Sequence, residues 1–187
     1  MKVLASLLLI GIVAVGAVSV AQAQAGGNGP NGTGIPEPIV LRLGVEWPND
    51  AATRTWAGYA PVYAGIDYAI GQTGPVGTSI SSLYLDYWGG AVNGGDVNVY
   101  GFGLSDRVYA TPAGGTPGQT GQQYFTGGGF GAYQISDSNG NGTVFGVKLF
   151  GGVEFSQKVI LQLGYNLLPA KTGLNPSGFN LQLGLRM

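Results

Sequence analysis

The side chains able to do chemistry in this chain of 187 residues are few, and seven of the charged ones stand out: Arg42, Glu46, Asp67, Asp86, Lys148, Glu154 and Arg186. The sequence contains no His and no Cys. That removes His-dependent general base catalysis, thiol chemistry, structural disulfides and the commonest zinc sites. A site built on carboxylates alone is left, but Asp67, Asp86 and Glu154 have a plainer role as ion-pair partners, and neither enzymatic activity nor a cofactor is expected. The run Asp137-Ser138-Asn139-Gly140-Asn141-Gly142 matches the first half of a calcium loop, with oxygen ligands at positions one, three and five and Gly at six. Position twelve, which should be a bidentate Glu, is Lys148, so an Asn-Gly hairpin turn is the expected reading and no metal site is assigned. The glycines around Phe130 lack the Lys-Ser/Thr of a phosphate loop and fit close strand packing instead.

The elements that must position these charges announce themselves by a period of two. From Phe179 to Met187 the chain alternates without a break, with Phe179, Leu181, Leu183, Leu185 and Met187 on one parity and Asn180, Gln182, Gly184 and Arg186 on the other. The same pattern predicts strands over 39–47, 62–70, 82–88, 145–155 and 159–167, and two glycine-rich strands near 97–109 and 124–135 complete a set of eight. On the strands of clear parity, all seven charges lie opposite the apolar set. In the 97–109 strand Val97 and Val99 set one parity while Tyr100, Phe102 and Leu104 set the other, so a bulge near Val99 to Gly101 is expected to re-phase it.

A half-buried sheet of a soluble protein would show the same parity. The outward set here is rich in Leu, Val and aromatics, however, and Trp47, Tyr68, Tyr87, Phe155, Tyr165 and Phe179 fall near strand ends, as interfacial girdles do. Only 9% of residues are charged, and no second long apolar run follows the first. The fold class predicted is all-β, an eight-stranded antiparallel up-and-down transmembrane barrel. Its charged parity would face the lumen, because Arg or Lys facing lipid costs about 2–4 kcal/mol at mid-bilayer.

The N-terminus reads as a secretory signal over 1–23: Lys2, an apolar stretch from Val3 to Val20, then Ala21-Gln22-Ala23, with cleavage after Ala25 the alternative. Residues 24–38, rich in Gly, Asn and Pro, form a lead-in too polar to bury a core, and 39–187 form the barrel domain.

Signal segment, lead-in, eight alternating strands and the terminal strand Phe-Asn-Leu-Gln-Leu-Gly-Leu-Arg-Met together resemble the small outer-membrane β-barrel proteins of the OmpA/OmpX type. The resemblance is one of architecture and carries over no specific activity. It implies the outer membrane as location, membrane lipid as surroundings, and recognition of Phe179 to Met187 by barrel-insertion machinery, although family members usually end in an aromatic residue where this chain has Met187. A monomer is expected, and the low charge excludes a basic nucleic-acid binder.

With both termini on the periplasmic side, Arg42, Asp67, Glu154 and Arg186 fall toward that end of the lumen. Arg42 is expected to pair with Asp67, and Arg186 with Glu154, while Lys148, Glu46 and Asp86 form a second group higher up. The alternative is that each charge is merely hydrated at a barrel mouth. External loops are expected near 48–56, 89–95, 137–142 and 169–177, and the longest connection, 111–123, on the periplasmic side. An eight-stranded barrel is just wide enough for side chains to fill. Three functional classes remain open: a structural or envelope-interaction barrel, a small-molecule conduit or lipid-binding barrel, and a soluble periplasmic barrel that binds an apolar ligand.

Overall fold

The computed structural model describes residues 37–73, 79–93, 95–110, 122–138, 140–155, 158–171 and 173–187. The expected signal segment, nearly all of the lead-in and most of the connection 111–123 lie outside the described residues. Eight strands, β1 (Ile39–Pro48), β2 (Val62–Thr73), β3 (Ser79–Val92), β4 (Gly95–Tyr109), β5 (Gln122–Asp137), β6 (Gly140–Phe155), β7 (Val159–Leu167) and β8 (Gly178–Arg186), pair in chain order, and β1 closes on β8. Every pairing is antiparallel. Both termini of the barrel share one end, the proximal end, where the N–H of Ile39 donates to the carbonyl of Met187 at 3.1 Å and the N–H of Met187 to the carbonyl of Ile39 at 2.8 Å.

Register follows from alternation. Leu43 pairs with Leu183 and Leu183 with Leu161, while Gln182 pairs with Gln162 on the opposite face. A slip of one residue would send Gln162, Asn180 and Gln182 outward and the leucines inward. Outward leucines and aromatics are well exposed, with Leu43 at 66%, Leu183 at 60% and Phe145 at 80%.

Two expectations are corrected. The bulge does not fall in β4, which pairs without interruption with β3 and β5; the one register shift with β3 lies in β2, between Ala69 and Gly71. The parity of β4 never changes. Val97 and Val99 point inward into an apolar distal interior, Ser105 and Arg107 continue that face, and Tyr100 and Leu104 point out. The stretch expected as an external loop near 48–56 contains a helix, α1 (Ala51–Ala57). Asp50 caps it by accepting the N–H of Thr53 at 2.8 Å, and Gly58, at φ +90°, ends it by sending its N–H back to the Arg54 carbonyl.

That helix lies over the distal mouth. Ala57 joins Trp88, Val97, Val99, Ile135, Leu168 and Leu174 in one buried cluster, with Trp56 and Val144 packed against it. A smaller cluster of Val40, Phe125 and Ile160, flanked by Tyr109 and Phe150, fills the proximal end.

Candidate functional site: a lumen filled by paired charges

Between the two apolar clusters the interior is polar. Arg42 on β1 is almost fully buried; its Nη2 stands 2.7 Å from Asp67 Oδ1 and 2.7 Å from Asp86 Oδ1, and its Nη1 donates to Gln182 Oε1 at 2.6 Å. Arg42 reaches β3 because the residue between them in register is Gly65, paired with Arg42 on one side and Asp86 on the other. A Cβ at Gly65 would lie 2.7 Å from Asp86 Oδ1 and 2.8 Å from Arg42 Nη2. The absence of a side chain opens the passage through which the two charges meet.

Asp86 is shared. Its Oδ2 accepts from Lys148 Nζ at 3.2 Å, and the Lys148 ammonium sits 3.4 Å from the centroid of the Tyr84 ring. Asp67 is shared as well, with Arg107 Nη2 at 3.6 Å, and the Arg107 guanidinium stacks 4.6 Å over Phe125. Three cations and two carboxylates on β1, β2, β3, β4 and β6 thus form one buried network. The surplus positive charge lies against aromatic faces, where ring quadrupoles attract it. Removing either carboxylate would leave buried cations without their counter-charge, which is strongly destabilising.

Toward the proximal end Arg186 grips Glu154 with two bonds, Nε to Oε1 at 3.0 Å and Nη2 to Oε2 at 2.7 Å. The Tyr109 hydroxyl donates to Glu154 Oε2 at 2.5 Å and accepts from Arg186 Nη2 at 2.8 Å. Toward the distal end Glu46 stands apart from Lys148 and Asp86: its two oxygens accept from Asn166 Nδ2 at 3.2 and 3.1 Å, and it enters no salt bridge among the described residues. The grouping expected from residue height is therefore redrawn, because Gly65 lets Asp86 join Arg42 while amides surround Glu46. The Tyr84 and Tyr133 hydroxyls, 2.9 Å apart, close the polar layer beneath the distal cluster. A gap among Tyr63, Lys148, Phe150, Gln162, Asn166 and Gln182 has no room for a water molecule.

All seven charged residues singled out in the sequence are buried in this interior. Arg107 and Tyr109 went unrecognised because β4 lacked a clear parity; the signal was Arg107 sharing the parity opposite Leu104 and Val108. The six aromatics all face outward. Trp47, Phe179 and Tyr165 are adjacent in register across β1, β8 and β7, with the Tyr165 and Phe179 rings edge-on at 4.7 Å. Tyr87 packs against Tyr100 at 5.1 Å, while Tyr68 and Phe155 lie toward the proximal end. Of the calcium-like run, Asp137 ends β5 and pairs with Gly140 at the start of β6, Ser138 donates to Asp96 at 2.8 Å, and Asn139 lies outside the described residues. Among the described residues no group of three or more acidic side chains is placed to hold a metal.

A closed barrel of eight up-and-down strands with charges inside and leucines outside is the fold of the small outer-membrane β-barrels. Neisserial surface protein A has this fold, with a TM-score of 0.58 at 13% identity over 80% of this chain and 94% of that one. The N-terminal barrel domain of Pseudomonas aeruginosa OprF matches at a TM-score of 0.46 and 13% identity, over 81% of this chain and 98% of that one. Yersinia pestis Ail in a phospholipid nanodisc matches at 0.45 and 10%, over 81% and 99%. No protein-family model matches the sequence, and comparison with curated proteins finds no match.

Proposed function

We propose that the protein is an integral outer-membrane barrel whose interior is a fixed plug and whose role in the envelope is carried by its surfaces, not by transport through it. The observation behind this reading is the buried network of Arg42, Asp67, Asp86, Lys148 and Arg107, sealed on the distal side by Trp88, Val97, Ile135 and Leu168. A conduit would need a continuous wet path, and paired charges under an apolar layer provide none.

The membrane assignment is supported by the outer wall. Soluble monomers rarely expose contiguous apolar patches beyond a few hundred Å². Here Leu43, Leu183, Leu161, Leu163 and Phe179 adjoin one another across β1, β8 and β7, each between 41% and 66% exposed. Neisserial surface protein A is by its description a surface protein. With the distal end outward, α1 and the β7–β8 connection would be the surface this chain offers to the exterior.

Two measurements test the reading. Membrane fractionation with gel mobility before and after boiling should give outer-membrane enrichment and a heat-modifiable band. In planar bilayers the wild-type chain should stay silent, and Asp86→Ala combined with Lys148→Ala should admit ions. Steady wild-type conductance would overturn the plug, and recovery in the soluble periplasm would overturn the membrane assignment.

A further inference from the structure

The outer wall is not the same all the way round. Along β8 the outward residues are Phe179, Leu181, Leu183 and Leu185, a surface suited to lipid tails. Along β5 they are Thr126, Gly128, Phe130, Ala132, Gln134 and Ser136, small or polar at every position but one. Beside them on β4, Asp106 is turned outward between Leu104 and Val108, and its carboxylate accepts from Ser79 Oγ at 2.9 Å and Ser81 Oγ at 3.0 Å. Where two membrane-spanning surfaces meet, small residues let the backbones approach and polar ones bond across the contact, whereas ionisable groups are seldom left facing lipid. The half of the wall around β5 has the first composition, and the half around β8 does not.

The same half carries a hole and, beside it, a knob. A depression of about 530 Å³ runs across β2 to β5, floored where Ala64 and Ala132 stand among larger neighbours and the backbone at Gly65 and Gly101 is reached from outside. Ile66, Leu85, Phe102 and Ala132 form one apolar row, and the next row toward the distal end is polar at Tyr87, Tyr100, Gln134 and Thr143. Ala132 pairs in register with Phe145 on β6, which at 80% is the most exposed large apolar side chain among the described residues. The apolar row climbs from Leu41, near the proximal end of β1, to Phe145 in the distal half of β6. With strands tilted by about 35–45°, a line of constant depth from Phe145 therefore crosses β5 between Ala132 and Gln134 and meets β4 near Tyr100. Two hydrogen-bonding groups at that depth are unspent. Thr143 Oγ1 donates to Gln134 Oε1 at 2.8 Å, but the Gln134 amide nitrogen and the Tyr100 hydroxyl have no partner among the described residues. A primary amide facing the edge of hydrocarbon is costly without an acceptor.

We infer that this wall is the interface of a homodimer in the membrane. The second copy is related by a two-fold axis along the membrane normal that passes β5 between Ala132 and Gln134. Phe145 of each copy enters the depression of the other over Gly101, and the Gln134 amide of each donates to the Tyr100 hydroxyl of its partner. A two-fold contact must be self-complementary. Knob and hole, and donor and acceptor, lie here on either side of one line at one depth, which meets that requirement. Two convex barrels would otherwise touch only along a line, and the hollow over Ala132 and Gly101 is what lets them interlock. The inference departs from the monomer expected from the sequence, and it rests on the membrane reading above.

The sequence contains no Cys, so single cysteines report contacts without background. The test is oxidative cross-linking in membranes of cells expressing full-length single-cysteine variants, with heat-modifiable mobility recorded for each. Ala132→Cys, beside the axis, should give a disulfide-linked dimer of the chain, and Leu43→Cys, outward on β1 across the barrel from β5, should not. Sedimentation equilibrium of the cysteine-free chain in density-matched detergent then measures the dimerisation constant. Phe145→Ala removes the knob and Ala132→Phe fills the hole, and each should weaken dimerisation about tenfold, equivalent to about 1.4 kcal/mol. Barrels of normal mobility that give no linked dimer from Ala132→Cys, link equally from Leu43→Cys, or link to a different protein instead would overturn the dimer and leave the membrane reading standing. So would a dimerisation constant that neither Phe145→Ala nor Ala132→Phe changes. Absence of any heat-modifiable band would overturn the membrane reading itself, and the dimer with it.

Discussion

Gly65→Ala is the sharpest probe of the lumen, because it adds one methyl group and removes no charge. In register Gly65 separates Arg42 from Asp86, and the new Cβ would fall 2.7 Å from Asp86 Oδ1, 2.8 Å from Arg42 Nη2 and 3.0 Å from Arg42 Cζ. These are side-chain ends, but they are locked: Arg42 also holds Asp67 and Gln182, and Asp86 also holds Lys148. Losing the Arg42–Asp86 bond forfeits about 1.5–3 kcal/mol for a hydrogen bond between charged groups, and crowding a packed interior adds about 1–3 kcal/mol. Reduced freedom of the unfolded chain returns about 0.4–1 kcal/mol. The net expectation is a destabilisation of about 1.5–5.5 kcal/mol, following from those three contributions. Gly71→Ala on the same strand is the control, since a Cβ there meets nothing within 4 Å. Urea unfolding in phospholipid vesicles, followed by fluorescence of the three tryptophans and by gel mobility, measures both. In an Asp86→Ala background the added methyl should cost at least about 1 kcal/mol less, because the two positions share one contact. If Gly65→Ala and Gly71→Ala unfold within about 0.5 kcal/mol of each other, the size of a surface substitution away from such features, the glycine-gated contact does not hold the lumen together.

Two further predictions concern the wall and the cap. Leu183→Arg, mid-strand on β8 and 60% exposed, should destabilise the folded barrel by about 2–4 kcal/mol in bilayers, whereas Thr143→Arg in the distal polar row should cost only about 0–1 kcal/mol; equal costs would refute the assigned membrane boundary. Asp50→Ala should loosen α1 by about 1 kcal/mol, seen as faster amide exchange at Thr53. Although partial burial alone would raise it, the Asp50 carboxyl is held below its ordinary range by hydrogen bonds from Thr53 and the Asn175 N–H and by the charge of Arg54. Because the folded value is the lower one, the cap contributes fully above the unfolded value near ~3.9 and fades as pH falls through the folded one. Protection at Thr53 that is flat from neutral pH to about 5 and drops below about 4 is expected; loss on raising the pH would contradict the sign.

Much of the barrel was legible because its two faces meet different media. Wherever a strand's outer face is leucine and its inner face polar, as in β7 and β8, parity alone identified the face, and Val159–Leu167 emerged with the bounds read from sequence. The reading faltered where both faces are apolar. Val97, Val99, Tyr133 and Ile135 lie inside the distal half, so hydrophobicity there no longer reports direction, and a bulge was inferred where the strand merely changes its lining. Arg107 was lost with that parity. The cap was lost for another reason: α1 is only seven residues, too short for a periodic stripe, and its one local signal was Asp50 three residues ahead of Thr53 with Gly58 behind. The meeting of Asp86 with Arg42 is non-local, since it needs three strands in register and a glycine in the middle one.

That last point extends to the composition. The chain has 36 glycines, which in sequence suggested only curvature or close strand packing. Many inward glycines stand where a large side chain from a neighbouring strand lies flat against the wall. A Cβ at Gly101 would meet the Tyr133 ring at 2.5 Å, one at Gly152 the Phe125 ring at 2.7 Å, and one at Gly164 the Asn180 side chain at 2.5 Å. A barrel of eight strands has too narrow a bore for every inward position to carry bulk. Alternating bulky residues with glycine lets Arg, Tyr and Phe lie across the lumen and interlock, instead of colliding at its axis. The same substitution pattern that closes the bore on the inside thins the wall at Gly65 and Gly101, which line the outer groove. Filling the lumen and hollowing the wall are thus two consequences of one choice of residue.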